Sequence, residues 1–195
     1  MGKKTMKNII KIVFLGLVGF AFLIYLTLPK DIIQNEEKKE LSLQSFPKFI
    51  DVVALNPYTK KEEVFKNFPL FLVVLNHDSL AIFRELYKFT DKNIVLLANI
   101  SNTPWLIKKI AVNGELENMY KDSKIHLIND SDGLIVKSLN LKNSSQNGYF
   151  VYRISDANIV KIFEGEVKKG ALQDGIQEDE ITREIEIFLE KLDKE

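Results

Sequence analysis

Two apolar runs on either side of one helical pattern decide the fold: LFLVVL at Leu70–Leu75 and IVLLA at Ile94–Ala98. Strands that are apolar at every position are typical of parallel strands covered on both faces of a sheet. Between them, Ser79–Phe89 has helical spacing of its apolar residues. Its apolar face consists of Ile82, Phe83, Leu86 and Phe89. The sequence therefore predicts a strand–helix–strand unit with a right-handed crossover between two parallel strands.

Shorter patterns extend this unit in both directions. Before it, Ile50–Leu55 predicts a first strand that ends at Asn56-Pro57. After it, the patterns predict a helix, a short strand, one or two helical turns, a β-hairpin and a closing helix. These elements are Pro104–Lys121, Ile125–Ile128, Leu134–Leu141, the hairpin strands Tyr149–Ile154 and Ile159–Phe163, and the helix Glu178–Asp193. The expected fold class is α/β, with a mixed central sheet and helices on both faces.

The N-terminal segment has the pattern of a membrane anchor. Residues 1–11 contain four lysines and no acidic residue, and residues 12–28 contain no charged residue. As a helix, these roughly 17 residues would be about 25 Å long, close to the length that spans a bilayer. The positive-inside rule keeps residues 1–11 in the cytoplasm as a basic tail. We therefore predict a single transmembrane helix at residues 12–28 that contacts the lipid bilayer.

Two other interpretations of this segment are less favoured. A cleaved signal peptide needs small residues after its apolar part, whereas this one ends in bulky residues and Pro29. A buried core helix of a soluble protein rarely lacks polar side chains over such a length. Residues 29–45, which are polar over most of their length, are expected to be a tether. Residues 46–195 would then form a domain in the bacterial periplasm, held at the inner membrane by one span.

Composition excludes several classes of function. The chain has 195 residues, 27 basic and 27 acidic, and no cysteine. Without cysteine there is no disulfide, no thiol nucleophile and no thiolate-bound metal. A balanced charge without a basic block argues against nucleic-acid binding. Nucleotide-binding glycine motifs are also absent from the sequence.

Several short phrases, taken in their order, resemble a known family. They are Phe46–Phe49, the strand Phe71–Leu75, the Asp-Gly turn and helix of Ile128–Leu139, and the hairpin Tyr149–Ile154 with Asp156. Together they resemble the thioredoxin-like superfamily in its peroxiredoxin and TlpA/ResA branch, over Phe46 to about Leu192. The resemblance implies a thioredoxin-like sheet, a reactive cysteine at the start of the first crossover helix, and a cis-proline just before the hairpin.

The reactive cysteine and the cis-proline of that family are both missing from this sequence. Ser79-Leu80-Ala81-Ile82 stands where the reactive motif would be, and Ser145–Gly148 stands where the cis-proline would be. A serine hydroxyl cannot carry out thiol–disulfide exchange, because that reaction needs a thiolate. The sequence therefore predicts a redox-inactive protein that is not an enzyme and that needs no cofactor.

The resemblance also implies a cleft in which an extended protein segment binds by strand addition. Its expected lining is His77, Asp78, Ser79, Asn147, Gly148 and Tyr149. The predicted role is that of a chaperone, assembly factor or scaffold, with a membrane or periplasmic protein as client. A flagellar motor or stator and a respiratory assembly are examples of such a client complex.

Other chemistries at the same place remain as alternatives. Ser79 could be a nucleophile with His77 as its base, although a helix-capping role for Ser79 or Asp78 is the simpler interpretation. The start of this helix could also bind an anion or a small ligand. A metal site is not expected, because His77 and His126 are far apart in the sequence and Asp130–Gly133 has the composition of a turn.

Overall fold

The computed structural model describes residues 11, 13–20, 22–23, 41–55, 58–101, 113–142, 145–156 and 158–195. Among the described residues after Leu41 there are seven strands and five α-helices. The strands are β1 (Phe49–Ile50), β2 (Thr59–Lys60), β3 (Leu70–Leu75), β4 (Ile94–Ala98), β5 (Leu127–Asn129), β6 (Gly148–Ile154) and β7 (Ile159–Glu166). The helices are α1 (Lys61–Val64), α2 (His77–Phe83), α3 (Asn113–Tyr120), α4 (Leu134–Ser138) and α5 (Glu178–Leu192).

The central sheet is mixed and has five strands in the order β5-β4-β3-β6-β7. β3 pairs in parallel with β4, with Leu72 opposite Val95, and β4 pairs in parallel with β5. β6 pairs antiparallel with both β3 and β7. The predicted parallel pair, the terminal hairpin and the α/β class are therefore confirmed.

Alternate residues of the fully apolar strand β3 support two separate cores. Val73 and Leu75 pack on one face of the sheet with α2, α3 and α5. Leu70, Leu72 and Val74 pack on the other face with α4 and with the segment 46–65. Both faces are covered by apolar side chains, so β3 carries no polar residue.

The closing helix α5 follows the predicted pattern closely. Its buried side chains are Ile181, Ile185, Phe188 and Leu192. Phe188 lies in an aromatic cluster, with its ring centroid 4.8 Å from that of Phe83 and 5.8 Å from that of Tyr149. Helix α5 thus stabilises the sheet face that also carries α2.

The strand predicted at Ile50–Leu55 is wrong in its extent. Only Phe49–Ile50 forms a strand, paired antiparallel with β2. The next residues change partner: Val52 bridges Ile128 of β5, and Ala54 has a φ of 61°. A left-handed residue ends an extended segment. This apolar run therefore pairs with two different strands, first with β2 and then, through Val52, with β5.

Two further boundaries differ from the predictions. The crossover helix begins at His77 rather than Ser79 and ends at Phe83, and a 3-10 turn follows at Leu86–Lys88. The short strand is Leu127–Asn129, which leaves His126 exposed just outside it. The first half of the helix predicted from Pro104 lies in residues 102–112, outside the described residues.

At the N-terminus, the described residues 11, 13–20 and 22–23 are helical, and their large apolar side chains are exposed. Among the residues that the structure describes, no helix is long and apolar enough to cross a bilayer. Part of the predicted span, residues 12, 21 and 24–28, lies outside them, as do residues 29–40 of the predicted tether. Leu41 and Leu43 already pack against the core.

Candidate functional site

The candidate site lies where the parallel strands end. In a parallel sheet the carboxyl ends of the strands share one edge, and ligand sites of α/β proteins gather there. Asn76 directly follows β3, and Asn99 directly follows β4. The approach to β6, Ser145–Gly148, reaches the same place, because Asn76 N–H donates to the Gly148 carbonyl at 3.1 Å. The two halves of the predicted cleft are therefore neighbours.

Ser79 is a structural residue of this site. It is fully buried. Its hydroxyl donates to the carbonyl oxygens of Asn76 and Gly148, at distances of 2.8 and 3.1 Å from Oγ. The expectation that Ser79 or Asp78 caps the helix is wrong, because the N-cap is Asn76. The main-chain N–H groups of Asn76 and Asp78 are instead satisfied by the carbonyls of Gly148 and Gln146. Tertiary contacts thus replace a side-chain cap.

Asp78 is buried and holds a neighbouring segment in place. We call residues 167–177, which connect β7 to α5, the strap. The Asp78 carboxylate accepts the Gly170 N–H at 2.8 Å and the Leu172 N–H at 3.4 Å. Its side chain is only 3% exposed. The acidic residue at the start of α2 therefore fixes the strap across this end of the helix.

His77 is the exposed member of the predicted cleft. Its side chain is 44% exposed, and its Nδ1 lies 3.4 Å from Asp78 Oδ1. No hydrogen bond between His77 and Ser79 occurs among the described residues. A serine nucleophile needs a base that takes its proton, and the Ser79 hydroxyl is directed at main-chain carbonyls instead. The arrangement does not favour the nucleophile hypothesis.

The other half of the cleft is also largely engaged. Asn147 is half-buried, and its Nδ2 donates to the Val167 carbonyl at 2.8 Å. Gly148 is buried. Tyr149 packs within the aromatic cluster, 5.2 Å from Phe83 between ring centroids. Burial raises the pKa of Tyr149 to about 12, so its phenol is neutral at physiological pH.

An amide network that was not predicted from the sequence connects the strand ends. Asn99 Nδ2 donates to Asn76 Oδ1 at 2.9 Å, and Asn76 Nδ2 donates to the Ser145 carbonyl at 2.5 Å. Ser101 Oγ donates to Asn99 Oδ1 at 2.9 Å. The signal was available, since an asparagine follows each of the two apolar strands. The network holds β3, β4 and the β6 approach together at the site.

The start of α2 offers little to an anion. The N–H groups of Asn76 and Asp78 are already paired, and the Asp78 carboxylate lies in the same place. No group of three or more potential metal-ligating side chains occurs among the described residues. Within the described part of the chain, the arrangement joins segments of main chain, and the Ser79 hydroxyl donates to main-chain carbonyls.

The Asp130–Gly133 segment is a turn, as predicted. Gly133 N–H donates to the Asp130 carbonyl at 3.0 Å, and Gly133 has a φ of 66°. The Asp130 carboxylate accepts the N–H groups of Ile135 and Val136 at 3.2 and 2.9 Å, and so caps α4. Burial raises the pKa of Asp130, although these hydrogen bonds oppose the effect.

Comparison of the chain with protein-family models, with curated proteins and with solved structures finds no match. The class that the fold defines is an α/β domain built on a mixed five-stranded sheet. The function is therefore argued from the site itself.

Proposed function

We propose that this chain is a non-catalytic protein of thioredoxin-like fold that binds a protein client in the bacterial periplasm. It acts as a chaperone, assembly factor or scaffold for a membrane complex of the envelope, such as a flagellar motor or a respiratory assembly. One observation carries the proposal: the residue at the start of the crossover helix is a fully buried serine, hydrogen-bonded to main-chain carbonyls. A group fixed in this way stabilises the fold instead of reacting.

The arrangement of the sheet supports the thioredoxin-like assignment. A parallel β3–α2–β4 unit and an antiparallel β6–β7 hairpin share one sheet, with α5 packed on the face that also carries α2. The resemblance seen in the sequence implies this combination. The only cis peptide bond among the described residues is Phe68–Pro69, before β3, and none precedes β6. The sequence has no cysteine and no proline after Pro104, so both residues on which the redox chemistry of that family depends are missing.

The hydrogen bonds within the predicted cleft restrict how a client could be held there. The carbonyls of Gln146 and Gly148 are engaged with α2, and the Asn147 carbonyl accepts the Val167 N–H at 2.9 Å. A client at this place would contact exposed side chains such as His77 rather than pair with these carbonyls. Membrane anchoring through residues 12–28 would keep the domain close to its clients.

The test is partner capture with matched variants of the full chain in detergent extracts. Client co-purification should persist in Ser79→Ala, because the Ser79 hydroxyl is buried and does not reach a client. It should weaken without being lost in His77→Ala, because that change removes one exposed contact. Ser155→Ala is the control for Ser79→Ala, since the Ser155 hydroxyl is exposed and donates to the Asn158 carbonyl. Loss of the cellular function in Ser79→Ala and His77→Ala, with folding and client capture intact, would favour the enzyme hypothesis instead.

A further inference from the structure

A second surface of the domain has the features of a recognition groove. It lies on the β5 side of the sheet, between the segment 47–51 and the turn that precedes α4, and encloses about 170 Å³. The residues that matter for its properties are Pro47, Phe49, Asp51, Asp130, Asp132 and Leu134. It is separate from the predicted cleft, none of whose six residues lines it.

Two large apolar side chains form exposed walls of the groove. Phe49 is 45% exposed and Leu134 is 48% exposed, although both belong to regular elements. Leaving such side chains in water costs free energy that burial would recover. Exposed apolar residues placed together around a concavity are typical of binding sites. Packing of an apolar stem of a partner side chain against Phe49 and Leu134 would therefore contribute favourably to the free energy of binding.

The ionisable residues that line the groove are all acidic, and the only described cation beside it in the aromatic contacts is that of Lys48, at the Phe49 ring. Every ionisable residue among the described residues that line it is an aspartate, namely Asp51, Asp130 and Asp132. Asp130 is buried and engaged in capping α4. Asp51 accepts a hydrogen bond from Asn129 at 2.7 Å but is only half-buried, and Asp132 is exposed. Asp51 and Asp132 therefore give the groove two carboxylates that a cation can reach.

The ring of Phe49 already attracts a cation of this chain. Lys48 Nζ lies 5.4 Å from the centroid of the Phe49 ring, within the range of a cation–π contact. The groove thus combines an aromatic face, an aliphatic wall and two carboxylates. Arginine and lysine side chains match this combination, because their stems pack on apolar surface while their charged ends stay at the carboxylates.

We propose that this groove binds one arginine or lysine side chain of the client protein. The stem would lie between Phe49 and Leu134, and the charged end would pair with Asp51 and Asp132. This inference rests on the proposed client-binding function and names the chemistry of the partner. It adds a docking point outside the cleft and leaves the question of catalysis untouched.

The experiment uses the full chain in detergent micelles and fluorescently labelled hexapeptides that differ at one central residue. The central residue is arginine, lysine, norleucine or glutamate, and binding is followed by fluorescence anisotropy at two salt concentrations. We expect the arginine and lysine peptides to bind more tightly than the other two, and less so at high salt because exposed charges are screened. Asp132→Asn should weaken that binding roughly two- to fivefold, as expected for an exposed ion pair.

Variants at the walls and at a distant surface complete the test. Leu134→Ala and Phe49→Ala should weaken binding of both basic peptides, whereas Glu186→Gln and Ile187→Ala on α5 should not. Equal binding of the arginine and glutamate peptides would overturn the proposal, as would unchanged binding by Asp132→Asn and Leu134→Ala. Either result would leave client capture by the full chain, the test of the proposed function, unaffected.

Discussion

At the scale of single residues, the site is built from polar groups that are paired internally. Ser79 and Asp78 occupy positions where a reactive or exposed group was expected, yet both are buried and hydrogen-bonded to main chain of other segments. Buried polar groups cost free energy unless they find such partners. The partners of these two residues come from the β6 approach and from the strap, about 70 and 90 residues away in the sequence.

Gly133 allows a test of this packing at one position. Its φ is 66°, and a Cβ added there would lie 2.7 Å from the Cβ of Ser101. Gly133→Ala should therefore lower the free energy of unfolding by more than the roughly 1–2 kcal/mol that a left-handed backbone costs an alanine. Gly175→Ala is the matched control, because Gly175 has a φ of 78° with no atom within 4 Å of the added Cβ. Equal losses of stability in chemical denaturation would contradict the predicted close approach.

Asp130 makes stability depend on pH. Burial raises its pKa in the folded state above the usual value of 3.8. The folded state therefore binds more protons than the unfolded chain between the two pKa values, and stability falls as pH rises through that window. Asp130→Asn cannot ionise but keeps an oxygen for capping α4. The free energy of unfolding of the wild type minus that of Asp130→Asn should be larger at pH 4 than at pH 7; a difference that grows with pH would contradict this.

At the scale of elements, the strap depends on one carboxylate. Removal of that carboxylate by Asp78→Ala leaves the N–H groups of Gly170 and Leu172 without their acceptor, at a cost of about 2 kcal/mol. Hydrogen exchange at these two amides should accelerate more than exchange in β3. Asp78→Asn is the matched control, because its amide oxygen can still accept one N–H and should give intermediate protection. Unchanged exchange in Asp78→Ala would show that other contacts hold the strap.

The sequence predicts two kinds of element well: strands that are buried on both faces, and helices that bury one apolar stripe. The strands Leu70–Leu75 and Ile94–Ala98 match in both position and length, because an all-apolar strand can only lie inside the sheet. The segment Ile50–Leu55 does not match, since its residues divide between β2 and β5 and no local signal reports that division. Long-range pairing is decided by tertiary contacts rather than by local propensity.

The sequence also predicts only part of the candidate site. The sequence indicated that residues 77–79 and 147–149 meet, and the structure places Ser79 against Gly148. It did not indicate that the strap covers Asp78 or that Asn76 and Asn99 bond to each other. Those contacts join residues distant in the chain, and asparagine and aspartate occur as readily in turns as in networks.

At the scale of the whole molecule, the absence of cysteine makes the predicted membrane topology easy to test. A single cysteine introduced as Ser155→Cys, in the exposed turn between β6 and β7, should react with a membrane-impermeant maleimide in intact spheroplasts. A cysteine introduced as Lys4→Cys should react only after lysis, because the basic tail is predicted to lie in the cytoplasm. The opposite pattern of labelling would contradict the predicted orientation of the anchor and the periplasmic location.

The central claim is that the protein works by binding a client and not by catalysis. The most direct measurement is photo-crosslinking in living cells, with benzoylphenylalanine introduced at Leu134 or at His77 of the full chain. We predict a discrete adduct with a membrane or periplasmic protein. The Leu134 adduct should still form in the His77→Ala, Ser79→Ala double variant, reduced at most by the loss of the His77 contact. Failure of both positions to form an adduct, or loss of the Leu134 adduct in a folded double variant, would contradict the account.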